Sequence, residues 1–196
     1  MTACLLYGGG YDSTALALYL KKIDLIHFHY GQKGQKAECK QFLQMLNAGF
    51  EGARFSLMKQ EGFLERARFS CPTLPTYWHN SAGVMKWRNP LLISAAICLG
   101  YDRIYYAGHI EPKGSRFYDA TPKFLRRMNK AMKVLGAKVI SPFSNLTREE
   151  VFDIGVQLNP ELMWRARKAS CWNGNLCGRC SHCRQGAKFW SRYLVE

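Results

Sequence analysis

No lysine stands between Met1 and Leu20. That absence excludes a Walker A loop, whose glycine turn must end in Gly-Lys-Ser/Thr so that the lysine reaches the terminal phosphates. Long apolar runs are missing too: Pro90 to Leu99, the longest strongly apolar stretch, is far short of the roughly 20 residues a bilayer span needs. The N-terminus shows no basic-then-apolar leader, so the chain is expected to be soluble and cytoplasmic, with no membrane partner. There are no internal repeats or low-complexity linkers. Acidic residues are scarce, 14 against 28 basic ones, which leaves a net charge of +14. Between Lys113 and Lys138 the single acid Asp119 faces eight basic residues: Lys113, Arg116, Lys123, Arg126, Arg127, Lys130, Lys133 and Lys138. Such a surface suits ATP, an anionic substrate or nucleic acid. Most of these cations read equally well as a solvated helix face, and no aromatic-rich nucleic-acid motif accompanies them.

What is present is organised around Leu5-Leu6-Tyr7-Gly8-Gly9-Gly10-Tyr11-Asp12-Ser13-Thr14. The apolar run Ala3 to Tyr7 predicts a short buried strand, and Ala15 to Leu20 an apolar helix. Strand, glycine turn and helix start in that order make an anion site, because glycines let the backbone approach a phosphate and the helix presents free N–H groups to it. The dinucleotide fingerprint would need a third glycine where Ser13 stands. The plain alternative is a glycine turn in which Asp12 or Ser13 caps the helix.

At 196 residues and 47% hydrophobic content the chain can bury a real core without staples. The first helix is expected to end near Lys21-Lys22. Ile23 to Tyr30 predicts a second strand, on which His27 and His29 read as satisfied strand histidines. Cys39, Phe42, Met45 and Leu46 recur at helical spacing before Gly49, and Phe50 to Met58 predicts a third strand. Gln60 to Met85 is irregular. Leu91 to Leu99 predicts a helix, Asp102 to Ala107 a strand, and Pro122 to Leu135 a helix with Leu125, Met128, Met132 and Leu135 on one face. Lys138 to Ser141 predicts the fifth strand, and Thr147 to Glu150 a capping box for a helix that buries Val151, Ile154 and Leu158. This alternation is the grammar of an α/β fold: a five-stranded parallel sheet with helices on both faces. Its ligand crevice lies beyond the carboxyl ends of the strands, where Gly8 to Ser13 falls. Residues 1–165 are expected to form the nucleotide-binding unit, and residues 166–196 a small C-terminal segment packed on it.

Eight cysteines in a chain without a leader do not imply disulfides. Cys4, Cys39 and Cys98 are expected in the core, and Cys71 lies in the irregular stretch. Cys171, Cys177, Cys180 and Cys183, spaced Cys-x5-Cys-x2-Cys-x2-Cys, match tetrahedral zinc, and because four sulfurs fill the shell the ion would be structural. An iron–sulfur cluster also takes four cysteines. His182, between two ligands, is read as a bystander. Phe189, Trp190, Tyr193 and Leu194 make the tail apolar enough to need a surface.

The loop Gly8-Gly9-Gly10-Tyr11-Asp12-Ser13 resembles Ser-Gly-Gly-x-Asp-Ser, the signature of the PP-loop ATP pyrophosphatases, with Gly8 in place of the first serine. Together with the four-cysteine knot it resembles the 7-cyano-7-deazaguanine synthase family of the queuosine pathway. Tyr30-Gly31-Gln32, Arg88-Asn89, the segment Ser115 to Phe124 and Ser170-Cys171 are similar to further stretches of that family. The resemblance implies an adenine nucleotide alpha hydrolase-like, Rossmann-like fold and an ATP-dependent C–N ligase. Such an enzyme adenylates the carboxylate of 7-carboxy-7-deazaguanine and, with ammonia and a second activation, converts it to the nitrile. It implies structural zinc, Mg²⁺ near Asp12, ATP as co-substrate and a homodimer. Carried onto this chain, Asp12 and Ser13 are the catalytic candidates. Tyr7, Gly8, Gly9, Gly10, Tyr11, Asp12, Ser13, Thr14, Ala15, Leu16 and Ala17 are the ATP-binding candidates. Arg88, Asn89 and Asp119 are candidates for the substrate pocket. Where the family usually shows Asn, Asp and Arg, this chain has Ile110, Lys113 and Thr121, and Trp87 stands where glycine is common, so an altered acid substrate stays open. So do another PP-loop adenylating enzyme, such as a tRNA-thiolating one with Cys71 as its loop cysteine, and a non-catalytic nucleotide or nucleic-acid binder on the same fold.

Overall fold

The computed structural model describes residues 2–29, 34–56, 88–110 and 121–193. Tyr30-Gly31-Gln32, Cys71, Trp87, Lys113 and Asp119 lie outside them. Five strands, β1 (Ala3–Leu6), β2 (Asp24–His29), β3 (Gly52–Ser56), β4 (Arg103–Tyr105) and β5 (Lys138–Ile140), form one sheet in the order β3-β2-β1-β4-β5. Every pairing is parallel, with Leu5 of β1 opposite Leu25 on one side and Tyr105 on the other. The helices are α1 (Tyr11–Leu20), α2 (Gln35–Asn47), α3 (Arg88–Cys98), α4 (Pro122–Met132), α5 (Arg148–Leu158), α6 (Pro160–Arg165), α7 (Arg167–Ser170) and α8 (Ser181–Trp190). Among the described residues no helix is long and apolar enough to cross a membrane.

Strand alternation divides the core in two. Leu5, Tyr7 and Leu25 meet Ala15 and Leu16 of α1, Phe42 and Met45 of α2, and Val151 and Phe152 of α5. Cys4, Leu6, Ile26 and Phe28 meet Ile93 and Ala96 of α3 and Phe124 of α4. Both faces are therefore covered, which is why the strands read as continuous apolar runs. The strand order reverses at β1, whose neighbours are β2 and β4. The crevice at such a reversal is where doubly wound sheets bind ligands.

Several local expectations change. Gly10 is the N-cap of α1, in extended conformation and with no side-chain cap bond. Asp12, Ser13 and Thr14 are inside the helix, so the helix-cap alternative falls. Residues Ser13 to Ala17 are all buried, because α1 runs between the sheet and α5. The two helices approach closely at Gly155, where a Cβ would lie 2.6 Å from Met163 Sδ and 2.9 Å from Ala15 Cβ. The buried stripe of α5 is Val151, Phe152, Gly155 and Val156. It is centred between Val151 and Phe152 rather than on Val151, which leaves Leu158 at 44% exposure. After Met132 the chain tightens to a 3₁₀ turn over Lys133–Leu135. That turn rotates Leu135 off the helix's apolar face, and it is exposed. Cys4 is buried as expected, but Cys39 is half-buried and Cys98 exposed, at the last residue of α3. The tail finds its surface: the rings of Phe189 and Trp190 lie 4.9 and 5.2 Å from that of Phe152.

Candidate functional site

The glycine turn leaves the sheet under firm control. The Tyr7 N–H donates to the Ile26 carbonyl at 2.8 Å. Its own carbonyl accepts from His27 Nδ1 at 2.8 Å, and its hydroxyl bonds Thr14 Oγ1 at 3.0 Å. His27 is thus a buried structural histidine, with Cys39 Sγ 3.8 Å from its Nε2. Gly9 has φ +75°, and a Cβ there would lie 3.0 Å from Glu38 Cα and 3.2 Å from Ala169 Cβ. Both the left-handed backbone and the close approach demand glycine at this position. Gly8 is different: it is exposed, and a Cβ on it meets nothing within 4 Å. A serine fits at this position sterically, so the departure from Ser-Gly-Gly removes a hydroxyl without reshaping the turn.

Of the candidate nucleotide residues, Tyr7, Ala15, Leu16 and Ala17 have buried side chains that back the turn. Ser13, 8% exposed, donates from Oγ to the Gly10 carbonyl at 3.2 Å. Asp12 faces Arg148, the first residue of α5: Arg148 Nη2 and Nε lie 2.9 and 3.3 Å from Asp12 Oδ2. Nη1 of the same guanidinium donates to Gln185 Oε1 at 2.9 Å, so the arginine ties α5 to both α1 and α8. Burial pushes the Asp12 carboxyl up, but the Arg148 guanidinium, with His109 and His182 farther off, outweighs it and holds the group below the usual carboxylate range. Asp12 is therefore an anion at neutral pH, beside the positive end of α1.

The four cysteines converge. The sulfurs of Cys171, Cys177, Cys180 and Cys183 all lie within 4.8 Å of one another. A tetrahedral zinc with bonds of about 2.3 Å sets its sulfurs about 3.8 Å apart, so one ion fits this cage. Backbone N–H groups already address the sulfurs: Cys177 N donates to Cys171 Sγ at 3.5 Å and Cys183 N to Cys180 Sγ at 3.3 Å. Burial raises the Cys171 thiol, yet the amides of Cys177, Asn175 and Asn173 more than offset it and bring it down to about 6. Burial, reinforced by Cys180 and Cys171, pushes Cys183 up to about 12. A cluster that favours one thiolate and resists the next is one that a cation completes.

This knot is not remote from the phosphate turn. Ser170, one residue before the first cysteine, accepts the Tyr11 N–H on its Oγ at 2.9 Å, which satisfies one of the orphan donors at the start of α1. Trp190 Nε1 donates to the Tyr11 hydroxyl at 3.0 Å, and Gly186 is tight against that ring. His182 Nδ1 donates to the Ser170 carbonyl at 3.0 Å. Burial and the nearby Arg148 depress His182 to about 4, with Asp12 pulling the other way. His182 takes no part in the cysteine cage, as read from the sequence, and its ring sits within the electrostatic reach of Asp12 and Arg148.

Of the substrate candidates, Arg88 and Asn89 open α3, with Arg88 Nε donating to Asn89 Oδ1 at 3.4 Å. Ile110 forms an isolated bridge with Thr147, the residue before Arg148. Thr121 caps α4, its hydroxyl accepting the Phe124 N–H at 3.2 Å. Arg148, Gln185, Ser170 and His109 were missed as site residues. Ser170 had a signal in Ser170-Cys171, and Arg148 had one in its place directly after the capping threonine. Gln185 and His109 carried none.

The family model described as queuosine biosynthesis protein QueC matches residues 2–194. The chain is similar to the 7-cyano-7-deazaguanine synthase of Campylobacter curvus, 26% identical over 99% of this chain and 95% of its own. That of Methanococcus maripaludis is 24% identical over the full length of both. That of Aliarcobacter butzleri is 27% identical over 92% of this chain and 86% of its own. With the turn at the carboxyl end of β1, the cysteine cage behind it and a family match that runs through both, the chain belongs to the queuosine biosynthesis protein QueC family.

Proposed function

We propose that this chain is an ATP-dependent ligase that converts 7-carboxy-7-deazaguanine, through an acyl adenylate and an amide, to 7-cyano-7-deazaguanine. The observation that carries the reading is the Gly8 to Ser13 turn at the strand-order reversal, with ionised Asp12 on its rim. In the first half-reaction a substrate carboxylate oxygen bonds the α-phosphorus as the bond to the bridging oxygen breaks. The electron pair leaves on pyrophosphate. Ammonia then attacks the acyl carbon and expels AMP, and a second adenylation of the amide oxygen lets the nitrile form as that oxygen leaves. This chain's part is to hold the triphosphate against the turn and the α1 N-terminus, and to fix two reactants as one. Mg²⁺, held at Asp12, would neutralise phosphate charge.

Zinc at Cys171, Cys177, Cys180 and Cys183 would be structural, fixing the segment that carries Ser170 and Gln185. Residues 166–196 act in this reading as a brace for the nucleotide unit. Arg88, Asn89 and Asp119 are proposed to read the deazaguanine. Among the described residues, Cys4, Cys98 and the four clustered cysteines form no disulfide, which suits a reducing cytoplasm. A homodimer belongs to the proposal by resemblance alone. Incubation with ATP, Mg²⁺, ammonium and 7-carboxy-7-deazaguanine, followed by mass spectrometry, is expected to show the amide and then the nitrile. Neither product, with ATP left intact, would overturn the reading.

A further inference from the structure

We infer that the outer face of α4 is a docking surface for the phosphate backbone of a double-helical RNA stem. Lys123, Arg126, Arg127 and Lys130 are spaced i, i+3, i+4 and i+7, which sets them in one stripe about 100° wide along the helix. All four are exposed, and Lys133 follows them, also exposed, in the 3₁₀ turn. Two observations separate this stripe from an ordinary solvated face. Among the described residues no ion pair reaches any of these cations, whereas Arg192 pairs with Glu149 and Asp153, and Arg165 with Glu161. No Asp or Glu occurs between Thr121 and Arg148 to offset them. Like charges three and four residues apart oppose the helix that carries them, so contact with water gives no reason to concentrate one sign here. A polyanion does.

The chemistry of the face narrows the partner. A membrane-surface helix buries its apolar side in lipid, but Phe124, Leu125, Met128 and Met132 already pack on the core. Single strands are held by stacking on aromatic rings, and the stripe has none. Helices that read the DNA major groove set side-chain amides against adenine, beside arginines for guanine. Asn129, the one side-chain amide of α4, is engaged with β5: its Nδ2 donates to the Val139 carbonyl and its Oδ1 accepts the Val139 N–H, both at 2.9 Å. What remains is a row of cations able to follow a phosphate strand without reading sequence. A-form RNA is recognised in that way, by shape and backbone. The inference does not depend on the ligase reading.

Fluorescence anisotropy of the zinc-loaded protein with a labelled RNA duplex of about 20 base pairs, over a series of salt concentrations, tests this. At about 0.1 M salt, Arg126→Gln, Arg127→Gln and Lys130→Gln together should weaken binding roughly 10-fold or more. The logarithmic salt slope should become shallower by about 2 to 3. Lys22→Gln, Lys40→Gln and Arg103→Gln together remove the same charge from exposed positions off the stripe. That control should change the Kd by less than about threefold. Glutamine is a good helix former, and the stripe variant loses like-charge neighbours, so its melting temperature should hold or rise. If it is nevertheless unfolded by circular dichroism, Arg127→Gln alone decides, with a slope shallower by about one. No binding by the wild type, equal losses for the two triple variants, or equally tight binding of a DNA duplex of the same length would overturn the inference. So would a preference for phosphatidylserine vesicles or polyglutamate over the RNA.

Discussion

The glycine turn and the cysteine knot stand against one another at the carboxyl end of the sheet, yet they are built in opposite ways. The turn hangs on the core: Tyr7 is 2% exposed, Thr14 fully buried, and His27 anchors the Tyr7 carbonyl. The knot has little core of its own. Cys177, Cys180 and Cys183 are only half-buried, and its path bends through Gly174 and Gly178 at φ +68° and +70° and Leu176 at φ 56°. A segment of that kind needs an ion where the turn needs only packing. The two are nevertheless joined, through Ser170 to Tyr11 and through Gln185 to Arg148. A metal bound in the knot would thereby stiffen a turn that holds none of its ligands.

Breaking the turn should cost activity and spare the fold. Asp12→Ala and Ser13→Ala are each expected to lower pyrophosphate release by about 100-fold or more. Their melting temperatures should stay within a few degrees of wild type, the Asp12 ion pair being partly exposed. Normal release by both variants would remove the phosphate-turn assignment.

Breaking the knot should do the reverse. Cys180→Ser leaves three sulfurs around a poorly held ion and forfeits part of a binding energy that doubles as folding energy. The variant should be metal-poor and melt roughly 10 °C lower or more, while metal analysis of wild type finds about one zinc per chain and no iron. A well-folded variant with full zinc content would show that the four cysteines are not one site. Iron with visible absorption in the wild type would replace zinc by a cluster.

A third change tests the packing that carries the turn. Gly155→Ala sets a Cβ 2.9 Å from Ala15 Cβ. Met163 can give way, but Ala15 cannot without moving α1. Overpacking of this kind costs about 1–3 kcal/mol, readable in urea unfolding, and unchanged stability would mean that the α1–α5 contact is looser than described. The smallest effect should come from the joint between the two regions. Ser170→Ala deprives the Tyr11 N–H of its acceptor, at about 1 kcal/mol. That should appear as a KM for ATP raised several-fold, with zinc content unchanged. A Ser170→Ala protein with an unaltered KM would mean that the knot braces only the tail.

Sequence reading served the two regions unequally. The form of the turn was legible because it is local: strand, glycines and helix start are consecutive, and the structure has β1, the turn and α1 in that order. The thiolate cage was legible because its ligands are spaced within 13 residues, from Cys171 to Cys183. What escaped was the joint. Arg148 is 136 residues from Asp12, and Ser170 is 159 residues from Tyr11. No periodicity or spacing connects such pairs. Local packing also moved what periodicity had placed: Leu135 and Leu158 left their predicted faces where a helix tightened or its buried stripe shifted.

The residues in order therefore determined the alternation of strands and helices, the place of the glycine turn after β1 and the clustering of four cysteines in one short segment, since each rests on neighbours in the chain. Tertiary structure alone decided that Arg148 meets Asp12, that it also bonds Gln185 and that Ser170 of the knot segment accepts from the start of α1. Those contacts depend on right-handed crossovers and helix packing that return distant segments to one end of the sheet. Short-range pattern fixes what a segment is, and only the closed core fixes what it touches.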